Sequence, residues 1–215
     1  MQANLIVSFF MKGGPIMWPI LVCGVVAVAV VGERLFWWWR ESRQRDQDTL
    51  MKVLEALQRG DVAAASRLAK DTRDPVLQMV YHGLNDHESS LQVAMQAAAG
   101  AVLRRAGRGL PVMDTLVTLA PLLGLLGTVT GIMRSFTAIG GTELAVGKVT
   151  GGIGEALIAT ACGLGIAIVA LVPLNYLGGK VAALQYELET VASNVEVLLN
   201  RLKHRSRQDE PGKDD

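Results

Sequence analysis

The sequence carries few side chains able to do covalent chemistry. Its two cysteines, Cys23 and Cys162, fall in separate apolar stretches, and its three histidines, His82, His87 and His204, have no cysteine or paired carboxylate at ligand spacing. That excludes a disulfide scaffold and a Cys/His zinc site. Gly147-Lys148 is followed by Val149, so a phosphate-loop pattern fails at its Ser/Thr position, and Gly151-Gly152-Ile153-Gly154 lacks the strand that a dinucleotide fingerprint requires. No nucleophile stands beside a base. The residues point away from an enzyme and call for no cofactor or metal.

What the sequence offers instead is one acid and several hydroxyls inside apolar helices. Glu155 directly precedes twenty-four uncharged residues, 156–179. An acid at membrane depth is costly and is by default a functional site, often a proton relay. The competing reading is a helix that starts at Glu155, with the carboxylate stabilising its N-terminus from the water side. Thr115, Thr118, Thr128 and Thr130 lie in the preceding apolar stretch, Thr160 and Asn175 in the one that follows. If the connection turns near Leu144, Thr128 and Thr160 are each sixteen residues from the turn, while Glu155 and Arg134 are eleven and ten away. The two hydroxyls then share one depth and the two full charges another, which makes Arg134 a candidate charge partner for Glu155. Threonine hydroxyls donate and accept, so they can hold a water chain; equally, they can bond to their own helix backbone. Glu155 and Thr160, five residues apart, sit about 140° from each other around a helix, so they do not share one narrow ray.

Small residues mark where helices approach. Gly124, Gly127 and Gly131 are spaced three and four apart, and Ala159, Gly163 and Ala167 form a similar face on the next stretch. In lipid, such faces let backbones come close, so two of them predict a tight hairpin or a tight oligomer.

The elements that must hold these residues follow from hydropathy and charge. Half of the 215 residues are hydrophobic and 19% are charged; the mean hydropathy of +0.31 suits three spans of about 20 residues each with polar segments between them. The apolar stretches are 16–31, extended through Trp37-Trp38-Trp39, then 115–133 and 156–179. Three tryptophans suit a membrane interface. Ala27-Val28-Ala29 resembles a leader cleavage site, but the apolar run continues past it and the basic residues follow it, which favours a retained span. Of 21 Lys and Arg, seventeen fall in 40–110 and 180–215. The positive-inside rule places both segments in the cytoplasm and the N-terminus outside. The near-neutral total charge gives no sign of nucleic acid. The expected order is a periplasmic tail at 1–14, spans at 15–39, 111–139 and 151–179, a cytoplasmic helical segment at 40–110, a periplasmic hairpin at 140–150, a helical extension at 180–203 and a disordered tail at 204–215.

Within 40–110, Gly60 can end one helix and Asp61 cap the next, Asp74-Pro75 reads as a cap with a first-turn proline, and Ser89 with Gln92 reads as a capping box. An alanine-rich helix over about 90–108 is expected to run on toward the second span. Val181, Leu184, Leu188, Val191, Val195, Leu198 and Leu202 keep a 3-4 spacing. This seam packs either on the chain's own cytoplasmic segment or on neighbouring subunits.

The segments Ala120-Pro121-Leu122-Leu123-Gly124-Leu125-Leu126-Gly127-Thr128-Val129-Thr130-Gly131-Ile132-Met133 and Gly154-Glu155-Ala156-Leu157-Ile158-Ala159-Thr160-Ala161 resemble the signature segments of the ExbB/TolQ/MotA proton-channel family, closest to its ExbB and TolQ branch. The resemblance covers nearly the whole chain. It implies an all-α, three-span protein with helical cytoplasmic extensions, assembled as a homo-oligomeric channel, a pentamer in ExbB, with spans two and three lining the pore. It implies a multi-pass protein of the bacterial inner membrane. Its partners would be a one-span protein resembling ExbD or TolR, bearing a membrane aspartate, and an energy transducer resembling TonB or TolA that is driven by proton flow. Carried over by position, the pore acid is Glu155 and the pore threonines are Thr128 and Thr160; Arg134 departs from the uncharged polar residue expected there. A MotA-type stator is the alternative within the family, although three spans are counted here where MotA has four. A membrane scaffold anchoring a cytoplasmic coiled coil is the alternative outside it.

Overall fold

The computed structural model describes Phe10 and residues 13–86, 90–137 and 145–208. The expected turn near Leu144, the residues His87 and Ser89, and the tail beyond 208 lie outside the described residues. Seven helices are described: α1 Met17–Ser42, α2 Gln47–Gln58, α3 Val62–Lys70, α4 Pro75–Asn85, α5 Leu91–Ala106, α6 Leu110–Thr137 and α7 Ala145–Gln208. There is no strand among the described residues, so the fold is all-α. The chain divides into two compact units: one takes the chain up to Phe36 together with Gly109–Leu177, the other Trp37–Arg108 with the chain from Gly178 onward.

The first unit holds three helices long and apolar enough to cross a membrane. At 1.5 Å per residue, the 26 residues of α1 and the 28 of α6 exceed a ~30 Å hydrocarbon core. Their outer faces are apolar and exposed: Val22, Val25 and Val28 on α1, Leu122, Leu125 and Met133 on α6, Leu157, Ile168 and Val172 on α7. Such faces suit lipid as solvent. Where the helices meet, the buried residues are mostly small or unbranched: Met17, Cys23, Ala27, Gly124, Gly127, Ala159 and Ala170. Pro121 stands inside α6 and Pro173 inside α7. Helices in lipid tolerate proline when neighbouring groups satisfy the freed carbonyl.

The second unit is a helical bundle with its own core. Val53, Leu57, Leu77, Val80 and Met95 pack with Leu184, Leu188, Val191 and Val195 of α7. The seam therefore lies against the chain's own segment 40–110. The helix starts are capped by side chains, as their sequences suggest. Asp46 accepts from the Thr49 amide at 3.0 Å, Asp61 from Ala64 at 2.8 Å, and Asp74 from Val76 at 2.8 Å ahead of Pro75. At α5 the cap is Ser90, one residue after the Ser89 expected from the sequence, and it accepts from the Val93 amide at 3.4 Å. Gly60, between α2 and α3, has φ +86°, a conformation that glycine adopts without strain. Asp74 is 2% exposed. Its second oxygen accepts from the Asp46 amide at 2.9 Å and lies 3.5 Å from Arg45 Nε. Arg45 in turn pairs with Glu187 of α7. A buried charge so surrounded is costly to expose singly.

Two expectations are refined. The alanine-rich helix does not run into the second span: α5 ends at Ala106, and α6 starts after Gly109 at φ +85°. A side chain at Gly109 would come within 3.1 Å of Arg34 Cδ, so left-handed backbone and close packing both require glycine there. The third span and the extension after it are one helix of 64 residues, since nothing between 179 and 203 ends a helix.

Candidate functional site

The site is built where α6 and α7 touch through their small residues. A Cβ on Gly124 would lie 2.9 Å from Thr160 Cα, one on Gly127 2.6 Å from Ala159 Cβ, and one on Gly131 3.0 Å from the Gly152 carbonyl oxygen. From the other side, a Cβ on Gly163 would lie 3.2 Å from Gly124 Cα. The glycines thus face the partner helix of the same chain, and the two backbones are in contact. The Thr160 hydroxyl crosses the gap and donates to the Gly124 carbonyl at 2.9 Å. Buried Ser135 donates within α6 to Gly131 at 2.9 Å.

Glu155 lies ten residues into α7, which begins at Ala145. Charge–dipole stabilisation falls off within the first turn, so the N-terminal cap reading does not describe this carboxylate. Arg134, in the last turn of α6, donates from Nη1 to Glu155 Oε1 at 3.4 Å. The Glu155 side chain is 28% exposed and that of Arg134 58%. Charge-assisted hydrogen bonds usually close to about 2.7–2.9 Å, so this pair is loose. A third element closes the site. Gly14, at φ +73°, lies ahead of α1, and a Cβ there would fall 2.5 Å from Glu155 Cδ and overlap Oε1. Its neighbours seat the turn. A Cβ on Gly13 would be 3.2 Å from Ile158 Cγ2, and one on Gly127 would be 2.8 Å from Ile16 Cγ2.

The threonines divide. Thr128 donates to its own helix at Leu125, 2.6 Å, Thr130 to Leu126 at 2.9 Å, and Thr115 and Thr118 to Pro111 and Asp114. Thr160 bonds across the hairpin instead. The structure therefore brings Arg134 to Glu155 and Gly124 to Thr160; it shows no hydrogen bond between Thr128 and Thr160 among the described residues. Glu155 and Thr160 have different neighbours, as their 140° separation requires. A bonded threonine oxygen retains acceptor capacity, so Thr128 can still take a water. Gly14 is the site residue that sequence reasoning missed. Gly13-Gly14-Pro15 is a turn signal, but nothing in the sequence links it to an acid more than a hundred residues away.

No group of three or more His, Cys, Asp or Glu is placed to hold a metal ion among the described residues. The arrangement is one acid, one cation and a wall of backbone within an apolar hairpin.

Comparison with known proteins follows the same lines. The sequence model of the MotA/TolQ/ExbB proton channel family matches residues 71–190. An ExbB-like biopolymer transport protein of Synechocystis is 32% identical over 218 residues, spanning 98% of this chain and 85% of its own length. The biopolymer transport protein ExbB of Salmonella typhimurium is 29% identical over 219 residues, spanning 94% and 89%. The ExbB of Neisseria gonorrhoeae is 34% identical over 113 residues, about half of each chain.

Proposed function

The chain belongs to the MotA/TolQ/ExbB proton channel family, in its ExbB branch, and from that premise we propose that it is the channel subunit of an inner-membrane motor in which Glu155 exchanges the proton. In this reading copies of the chain assemble around a pore, as a pentamer, and a one-span ExbD- or TolR-like protein with a membrane aspartate occupies it. Proton flow then does mechanical work on a TonB- or TolA-like transducer. The N-terminus faces the periplasm and both basic segments face the cytoplasm. The chain performs no covalent chemistry.

The observation that carries this reading is the loosely paired carboxylate of Glu155 inside an apolar hairpin, 3.4 Å from its cation and 28% exposed. A purely structural acid at such depth would be expected to be closed off. A long pair to a half-exposed arginine leaves the carboxylate open to another partner. Each proton crossing 100 mV releases about 2.3 kcal/mol. Thr128 and Thr160 are the hydroxyls that extend the path, Thr128 through its free acceptor capacity and Thr160 at the helix contact.

The test is Glu155→Gln in the complex purified with its membrane partners and placed in liposomes with entrapped pyranine. A valinomycin-imposed potassium diffusion potential drives the protons. Glutamine keeps the size and most of the hydrogen bonding but removes ionisation. Coupled proton flux is expected to vanish with oligomer mass unchanged; full flux would sink the proton-channel reading.

A further inference from the structure

Resting on that reading, we propose that Gly14 is a positioning residue for Glu155: the turn at residues 13–16 forms a backbone wall that holds the carboxylate against Arg134. The oxygen that Arg134 reaches at 3.4 Å is Oε1, and the same Oε1 is the atom a side chain at position 14 would overlap. The Cβ would also fall 2.5 Å from Cδ and 3.1 Å from Cγ. All three atoms belong to the glutamate side chain, so it is the glutamate that must move to clear them. A methyl group at position 14 therefore turns the carboxylate off the arginine.

The wall is itself fixed. Gly13 is buried, and a Cβ there would meet Met17 Cγ at 2.5 Å. Ile16 is seated over Gly127, where α6 also meets the Ala159 side chain of α7. Met17, Ile20 and Ala159 form one buried cluster beneath it, with Ile16 and Ile158 packed at its edge. The φ of +73° at Gly14 presents the α-carbon, not a side chain, to the acid. The first helix therefore has a role at the proton site through the turn that precedes it, and the two-helix hairpin alone does not define the geometry of Glu155.

The experiment is Gly14→Ala in the same complex and the same pyranine assay. Misplacement of a reacting group by about 1 Å can cost ~100-fold, so flux is expected to fall roughly 10- to 100-fold with membrane level and oligomer mass unchanged. Gly60→Ala controls for left-handed backbone, since Gly60 has φ +86° in the other unit; flux should stay within about twofold, because the strain of an alanine there is local. Glu155→Asp supplies the readout that a merely structural role would not move. Its shorter side chain withdraws from position 14, so adding Gly14→Ala to it should cost less than about twofold more. If Glu155→Asp is itself inactive, Arg134→Gln takes its place, because without the arginine there is nothing to be turned away from. Penalties that multiply in either background would overturn the positioning role, as would wild-type flux in Gly14→Ala. Wild-type flux in Gly14→Ala beside a dead Glu155→Gln would remove this inference alone; an active Glu155→Gln would remove the proton reading beneath it.

Discussion

Asp74 in the bundle unit and Glu155 in the membrane unit are both carboxylates beside an arginine, yet their surroundings differ in almost every respect. Asp74 is 2% exposed and its two oxygens accept from two backbone amides at 2.8 and 2.9 Å, with Arg45 alongside. Arg45 is held in turn by Glu187. Glu155 is 28% exposed and has one polar partner among the described residues, at 3.4 Å; its other wall is the α-carbon of Gly14. The first acid is locked by donors that cannot leave. The second has one donor on a flexible stem and a surface that offers it no hydrogen bond. The two acids differ in burial as well, but the number of fixed donors is what separates a carboxylate locked in one place from one held loosely.

The sharpest way to break that comparison is to neutralise the locked acid. Asp74→Asn keeps the shape but leaves Arg45 with Glu187 alone and turns an NH2 group toward one of the two backbone N–H groups that now reach a carboxylate oxygen. Breaking a buried pair from one side costs about 3–5 kcal/mol. The bundle unit should lose that much in urea unfolding of the detergent-solubilised protein, whereas Glu155→Gln should leave the unfolding midpoint in place. Equal stability losses in the two variants would mean that both acids are structural.

Gly127→Leu asks whether the membrane unit's tolerance extends beyond its acid. Even a Cβ there would come within 2.6 Å of Ala159 and 2.8 Å of Ile16, and overpacking typically costs ~1–3 kcal/mol. Hairpin and turn should separate, with loss of proton flux and a wider cysteine-crosslinking pattern between α6 and α7, while membrane insertion persists. Unchanged crosslinking would mean that this face is not the contact. Thr160→Val is smaller. It removes the bond to the Gly124 carbonyl, and hydrogen bonds of this kind between membrane helices average about 0.6 kcal/mol. Flux should fall a few-fold, without the complete loss expected of Glu155→Gln.

The two units were also unequally legible. In the bundle, local chemistry carries the fold: Asp61 after Gly60 and Asp74 before Pro75 each state their role within a few residues, and the 3-4 seam of α7 states a buried face, though not what covers it. In the membrane unit the spans are legible from length, and the glycine faces from spacing. What is not legible is which side each face turns to. The sequence left the small residues open between hairpin and oligomer, and the threonines open between water and backbone. The facing of the small residues depends on the register of α6 on α7, which the contacts of Gly124 with Thr160 and Gly131 with Gly152 fix. Arg134 and Glu155 were brought to one depth by counting from an assumed turn. Gly14 was out of reach, because its partner is set by tertiary packing alone.

A third carboxylate tests the same rule at its weak end. Asp46 caps α2 through two donors from one residue: the Thr49 hydroxyl at 2.6 Å and the Thr49 amide at 3.0 Å. These hydrogen bonds, the hydroxyl's first, hold its carboxyl below the ordinary value of 3.8. A depressed acid stabilises the fold fully at pH above that ordinary value, and the contribution fades as pH falls through the lower folded one. Thr49→Val removes the larger cause while nearly keeping the volume. The variant should be less stable than the parent at pH 5–7, and the gap should close as the pH is taken below 3.8, since a protonated Asp46 no longer distinguishes the two. Urea midpoints of parent and variant across that range measure it. A gap that stays constant with pH would mean that the hydroxyl contributes through packing and not through the ionised cap. In that case the number of donors would fail as a guide at Asp46, and its use for Asp74 and Glu155 would rest on burial after all.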